Sequence, residues 1–286
     1  MDVLTLTPND TGYPLALHQM HRPPTTLYYR GDFTSLIQKP RVAIVGSRTV
    51  SPYGKQVTKQ IAEQLAGQGM VIVSGLAIGV DAIAHQAALS VGGLTMAVLP
   101  SPVETPLPTT NHQLAERILR GGGALVSSYP QGSVSHKGNF VERNELVAAL
   151  SGVVVITEAA QKSGSLHTAG FALDLGVTVL AVPGNVTSRV SVGTNQLIKA
   201  GKAGVATNAL DVLQELGITK SLQSSAQQGE NPLEQSILDL IANGIHEGSE
   251  LQEQSGQTIS VFNQALTMLE ITGKVMALGA NRWGLP

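Results

Sequence analysis

The chain has 286 residues, 42% hydrophobic and 13% charged, a balance that suits one large domain plus a small one around a sizeable core and excludes a disordered chain. It contains no cysteine, which excludes disulfides, zinc–thiolate sites and cysteine nucleophiles. The net charge of -2 gives no hint of a nucleic-acid partner, but its distribution does. Residues 1–217 carry 15 Lys and Arg against 13 Asp and Glu, and residues 231–286 carry two against six. A polyanion should therefore meet the larger part, through a local patch. The opening Met1 to Pro8 is short and acidic rather than basic, and no apolar run reaches the ~18 residues of a membrane span. A cytoplasmic protein without membrane attachment is expected.

Residues 1–40 read as an irregular lead-in, punctuated by Pro14 and Pro23-Pro24, with one short strand at Leu27 to Tyr29. From Arg41 to Leu216, strand and helix patterns alternate. Apolar runs at Val42–Val45, Met70–Val73, Leu94–Leu99, Ala124–Val126, Val153–Thr157 and Val177–Val182 predict strands, with a short one near Gly204. Helical periodicity is predicted from Tyr53 to Ala66, Ala77 to Leu89, His112 to Leu119, Val141 to Leu150 and Leu166 to Leu175. It resumes at Asn195 to Lys199 and at Ala209 to Leu216. A polar loop is expected from Ser127 to Asn139. Such alternation forces parallel strands with right-handed crossovers, so the expected fold is a doubly wound, mostly parallel Rossmann-like α/β sheet over 41–217. Residues 218–230 are Ser- and Gln-rich and read as a linker. Helices at Leu233–Ile241, Ser249–Gln254 and Val261–Leu269 and a hairpin ending near Trp283 suggest a winged-helix-like module over 231–286. Its third helix carries no Lys or Arg, which favours an accessory or protein-contact role over DNA binding.

The most informative stretch is Val42 to Gly54. A buried strand ends in Gly46, Ser47 and Arg48, and a helix follows. Small residues let the backbone approach an anion, helix-end N–H groups attract it, and Arg48 adds a planar cationic fork suited to phosphate. Other strand ends repeat the pattern: Ser74 and Gly75, the loop leading to Lys137, and Glu158 followed by Ser163, Gly164 and Ser165. In a doubly wound sheet these should converge beyond the carboxyl ends of the strands. Lys137 and Arg143 flank Phe140, a combination that can neutralise phosphates and stack on a base of a single strand. Ser163 or Ser165 would cap a helix whose dipole favours an anion. Asp81 and His85 share a helix face. With no third ligand at matching spacing, they read as a structural hydrogen bond rather than a metal pair or an acid–base dyad.

The chain lacks a Gly-x-Gly-x-x-Gly after its first strand, a Walker A sequence and a Gly-x-Ser-x-Gly elbow, so no nucleotide cofactor, metal or catalytic residue is expected. Two alternatives remain. One is a phosphoribohydrolase-type enzyme on nucleotides with Glu158 as its acid–base group, although Gln161 to Ser165 lacks the Pro-Gly-Gly-x-Gly-Thr such enzymes usually carry. The other is a small-ligand carrier using the same pocket.

The run Val42 to Arg48 followed by Ser74 to Leu89, with Phe140, Arg143-Asn144, Glu158-Ala159, Ser163 to Ser165, Thr168-Ala169, Pro183-Gly184 and Gly193 to Ile198, strongly resembles the DNA-processing protein A family (DprA, also called Smf). The resemblance runs in order from about Tyr13 to Leu216. It implies a Rossmann-like domain that binds single-stranded DNA and a homodimer that hands DNA to the RecA recombinase in natural transformation. By position it implies that Arg48 and Lys137 hold phosphates and that Phe140, Arg143 and Asn144 line the same pocket. Ser163, Gly164, Ser165 and Thr168 would supply helix-end donors. Three departures stand out: Leu107-Pro108 replaces the usual Tyr-Pro, Ser128 the usual Glu, and Glu145 the usual Arg. The last removes a positive charge, which would weaken DNA affinity.

Overall fold

A computed structural model of the protein describes residues 2–218, 229 and 231–285. The chain divides into two compact units, Met1–Thr219 and Lys220–Pro286. All but two residues of the expected linker lie outside the described residues.

The first unit is built on one nine-stranded sheet. Its strands are β1 (Leu4–Leu6), β2 (Leu27–Gly31), β3 (Arg41–Val45), β4 (Val71–Ser74), β5 (Thr95–Val98), β6 (Ala124–Ser127), β7 (Val153–Ile156), β8 (Thr178–Ala181) and β9 (Gly204–Val205). They lie in the order β1-β2-β6-β5-β4-β3-β7-β8-β9. Pairing is parallel from β6 to β9 and antiparallel where β1 meets β2 and β2 meets β6. The doubly wound, mostly parallel sheet expected from the sequence is therefore present. From β3 the chain winds outward through β4, β5 and β6, then returns to the other side of β3 with β7. That reversal between β3 and β7 is the switch point at which such sheets open a crevice.

The central strands are apolar on both faces because helices cover both. Ala43 and Val45 point into one core with Val73, Val98 and Ile156. Helices α5 (Lys137–Ala149) and α6 (Ser165–Asp174) pack on that side. Ala97, Leu99 and Leu125 join Leu114 and Ile118 of α4 (His112–Arg120) on the opposite face. There α2 (Pro52–Gly67) packs on α3 (Val80–Ser90). The unit is completed by α1 (Phe33–Leu36), α7 (Val192–Lys199) and α8 (Ala209–Glu215).

Residues 1–40 depart from the expected irregular lead-in. The strand at Leu27–Tyr29 is present, but it forms part of the main sheet, and β1 extends that sheet further. Leu17, Leu27 and Phe33 are fully buried in the α5/α6-side core. The apolar residues here are too sparse and too interrupted by proline to show a period, so only tertiary packing reveals their role. The Glu145 carboxylate on α5 ties this segment down, accepting from the His21 main-chain N–H at 2.7 Å and from Nδ1 at 2.8 Å. Glu145 is 5% exposed and is engaged by His21 rather than lining the cavity of the candidate site.

Its hydrogen bond and charge raise the His21 pKa above the ordinary 6.5. A raised histidine pKa contributes stability below the unfolded value and loses it as pH rises through the folded one. His21→Ala should therefore lower the melting temperature most near pH ~5 and progressively less toward pH ~9. A thermal-melt series across that range checks this.

The second unit contains α9 (Pro232–Ala242), α10 (Gly248–Ser255) and α11 (Ile259–Ile271), then the antiparallel strands β10 (Met276–Gly279) and β11 (Arg282–Gly284). Asn231 caps α9 by accepting from Glu234 N, and Pro232 sits in the first turn, where no N–H is needed. Ile237, Ile241, Leu251, Phe262, Leu266 and Leu269 form its own small core. Three helices followed by a hairpin is the element order expected from the sequence.

Candidate nucleic-acid interface

A cavity of about 660 Å³ opens at the carboxyl edge of the sheet, above the reversal between β3 and β7. Its wall includes Gly46, Ser47 and Arg48 after β3, Gly75 after β4, and Lys137, Phe140, Arg143 and Asn144 of α5. Ser163, Gly164, Ser165 and Thr168 at the start of α6 complete it. Thus twelve of the thirteen residues expected to bind nucleic acid meet in one place. Ser74 does not: it is fully buried and its Oγ donates to the Ile44 carbonyl at 2.6 Å, tying β4 to β3.

The turn after β3 is held from both sides. Ser47 N donates to the Glu158 carbonyl at 2.7 Å, and Val80 N donates to the Ser47 carbonyl at 3.1 Å. The Ser47 hydroxyl folds back on its own turn, donating to the Thr49 carbonyl and accepting from Thr49 N. Gly79, at φ +87°, lies so close to this turn that a Cβ there would strike the Ser47 and Arg48 carbonyls. This fixed backbone leaves the Arg48 side chain exposed, with its guanidinium carbon 5.4 Å from the Phe140 ring centre. The two form a cation–π pair at the rim.

The anion-binding device differs from the expectation at the first turn. The N-terminus of α2 does not face this cavity. Ser51 caps it, accepting from Gly54 N at 3.0 Å. The Glu158 carboxylate closes the same turn, accepting from Ser51 N at 2.9 Å and from Ser51 Oγ at 2.5 Å. Glu158 is 2% exposed. Both carboxylate oxygens are thus engaged at the start of α2, and Glu158 does not line the cavity.

Helix ends reach the cavity from α5 and α6 instead. Lys137 is the first residue of α5 rather than a loop residue, so its ammonium and the positive end of the helix coincide. At α6 the N-cap is Gly164, which has no side chain to offer, and Ser163 Oγ accepts from Ser165 N at 3.4 Å. The Ser163 and Ser165 hydroxyls bond each other at 2.9 Å. Leu166 N and His167 N already donate to the Ser163 and Gly164 carbonyls. Fewer free helix-end donors remain than expected.

Arg143 is the largest departure. It reads as a phosphate-facing cation in the sequence, yet it is 5% exposed and forms the cavity floor. Its Nη1 donates to the Gly75 and Val98 carbonyls, and its Nε to Asn144 Oδ1 at 3.3 Å. A Cβ at position 75 would fall on the guanidinium and force Arg143 to shift. Asp81 supplies the balancing charge. Burial pushes its carboxyl above the ordinary carboxylate range, against the opposing pull of the Arg143 charge and of the Ala77 and Gly75 N–H groups. Asn144 links α5 to α6 by donating to the Gly164 carbonyl at 3.3 Å.

Asp81 and His85 do not bond each other; each has found another partner. His85 Nδ1 pairs with Thr95 Oγ1 at 2.6 Å, and burial lowers its pKa to about 3, keeping it neutral. Among the described residues no cluster of His, Asp and Glu could hold a metal ion. The cavity also takes in Lys162, which was not singled out in the sequence although it stands next to Ser163. Four cations, Arg48, Lys137, Arg143 and Lys162, thus line one cavity together with a single acid, the buried Asp81.

An α/β domain with a cationic cleft at its switch point is the class of protein defined by this geometry, one suited to a phosphate-bearing ligand. The family model for DNA recombination-mediator protein A matches residues 4–217. The chain belongs to that family. It is 38% identical over 226 residues to the protein Smf of Synechocystis sp., covering 78% of this chain and 56% of that protein, so it spans little more than half of that relative. DNA processing protein A of Streptococcus pneumoniae superposes with a TM-score of 0.69 at 36% identity, over 74% of each chain. The Helicobacter pylori protein, whose structure describes a single-stranded DNA binding mode, superposes with a TM-score of 0.67 at 37% identity, over 75% of this chain and 95% of that one.

Proposed function

We propose that the protein binds single-stranded DNA in the cleft between β3 and β7, without catalysing a reaction on it, and hands the strand to the RecA recombinase during natural transformation or homologous recombination. The observation that carries the first part is one cavity lined by four cations and a single acid, with the Phe140 ring at the rim. Phosphates would lie against Arg48, Lys137 and Lys162, above the Arg143 floor, and a base would stack at Phe140. The single-strand binding described for the Helicobacter pylori relative supports this reading. Transfer to RecA and a homodimeric state rest on the family resemblance. A cytoplasmic location is consistent with the lack, among the described residues, of a helix long and apolar enough to cross a membrane. We assign 231–286 as a winged-helix-like accessory module; its acidic charge and its third helix, devoid of Lys and Arg, favour protein contact over DNA.

Titrating labelled oligo-dT and a matched duplex at several salt concentrations tests the DNA reading. Three neutralised phosphates, at Arg48, Lys137 and Lys162, give log K against log salt a slope of about -2, at ~0.7 per contact for single strands. Equal affinity for the duplex, or a flat slope, would sink it. Recombinase filament assembly on single strands, measured with and without the protein, tests the transfer.

A further inference from the structure

A second cavity of about 510 Å³ lies between the first turn of α2 and the loop from Pro183 to Ser191. From its position and chemistry we infer that it is a nucleobase subsite, receiving a base of the strand whose phosphates occupy the cationic cleft. The inference rests on the DNA reading above.

Three features define the site. First, Tyr53 offers an aromatic face. It is 47% exposed, yet its hydroxyl donates to the Pro183 carbonyl at 2.8 Å, so the ring is pinned to the loop opposite rather than free to swing. A ring already held in place loses little conformational entropy when a base stacks on it. Second, hydrogen-bonding groups without a protein partner are open to a polar ligand. Ser191 is 4% exposed and lines the cavity, and its hydroxyl has no partner among the described residues. Gly184 leaves room for that hydroxyl, since a Cβ at 184 would strike Ser191 Oγ. Asn185 is fixed by accepting at Oδ1 from Thr187 N and Oγ1, at 2.9 and 2.8 Å, which leaves its amide NH₂ free to donate. Third, no charged side chain lines this cavity, in contrast with the four cations of the cleft. A phosphate would find no counter-charge there. A flat, neutral group with donors and acceptors on its edge finds both a stacking face and partners, and a nucleobase has that chemistry.

The two cavities are linked by the same short turn. Arg48 lines the cleft and Ser51 lines the second cavity, three residues later. Fully extended chain of that length spans at most about 11 Å. A strand gripped at Arg48 can therefore lay a base on Tyr53 a few nucleotides further on.

The test is a length series of oligo-dT titrated against the full chain, wild type and Tyr53→Ala. Wild type should gain affinity once the strand is long enough to reach the second cavity. Tyr53→Ala should lose that increment, on the order of tenfold, the range expected for one stacked base. Strands too short to span both cavities should bind the two proteins equally. Tyr53→Trp should keep the increment and add a tryptophan signal quenched by long oligo-dT but not by short. An unchanged length dependence in Tyr53→Ala, or an equal loss at every length, would overturn the subsite while leaving the cleft intact. If wild type binds no oligo-dT at all, the DNA reading fails and the subsite fails with it.

Discussion

Replacing Arg48 and Lys137 together by alanine should weaken oligo-dT binding about a hundredfold at low salt, since a charge-assisted hydrogen bond contributes about 1.5 kcal/mol or more. The dependence on salt should flatten as well, from a slope of about -2 to about -0.7, because two of three phosphate contacts vanish. Both side chains are exposed and make no ion pair among the described residues, so thermal stability should hardly change. Loss of affinity should be uniform across sequences, as phosphate contacts carry no base information. A variant with wild-type slope would place the strand elsewhere on the surface.

Arg143→Ala should act on folding instead. The guanidinium satisfies two main-chain carbonyls and faces the buried Asp81 charge. Removing one member of such a buried arrangement costs about 3 kcal/mol, which lowers the melting temperature of a domain this size on the order of 10 °C. The deficit should depend on pH. Arg143 holds down an Asp81 pKa that burial raises, and without it the folded-state value rises further. Between the unfolded pKa and that raised value the native state binds more protons than the unfolded chain, so stability falls as pH increases. The variant should therefore lie closest to wild type in acid and fall away toward neutrality. Asp81→Asn in the Arg143→Ala background should recover part of the loss, which calorimetric melts of the single and double variants can resolve.

These two variants separate residues that the sequence presents alike. Arg48 and Arg143 each stand beside small or polar neighbours in stretches rich in strand-end signals. Arg48 follows a buried strand, on a turn whose backbone bonds to its neighbours point the side chain outward. Arg143 lies one helical turn beyond Phe140, on the face of α5 that packs over β5. Its donors therefore meet the carbonyls at the ends of β4 and β5. Helix phase is legible in the sequence, but which strand ends that phase meets is not. Glu158 shows the same limit. An acid after a strand reads as a candidate for catalysis, and only the fold brings it under Ser51 at the start of α2.

The first forty residues show how far local signals reach: they mark the strand at Leu27–Tyr29 but not its place in the main sheet. Their apolar residues are spread between prolines and form no repeat, yet β2 pairs with β6 across nearly a hundred residues of chain. Pairing at that separation is decided by the free edge that the rest of the sheet presents.

The sequence by itself determined the alternation of buried strands and amphipathic helices, hence the doubly wound sheet, and the small and cationic residues at its strand ends. Those features follow from hydrophobic periodicity and turn chemistry, which act over a few residues. The tertiary structure alone decided which of those residues face the cleft, which become its floor, and which are spent on holding the turn. It also created the neutral cavity beside Tyr53. Such outcomes depend on burial and on partners brought together from distant segments, and a residue's neighbours in sequence do not fix its neighbours in space.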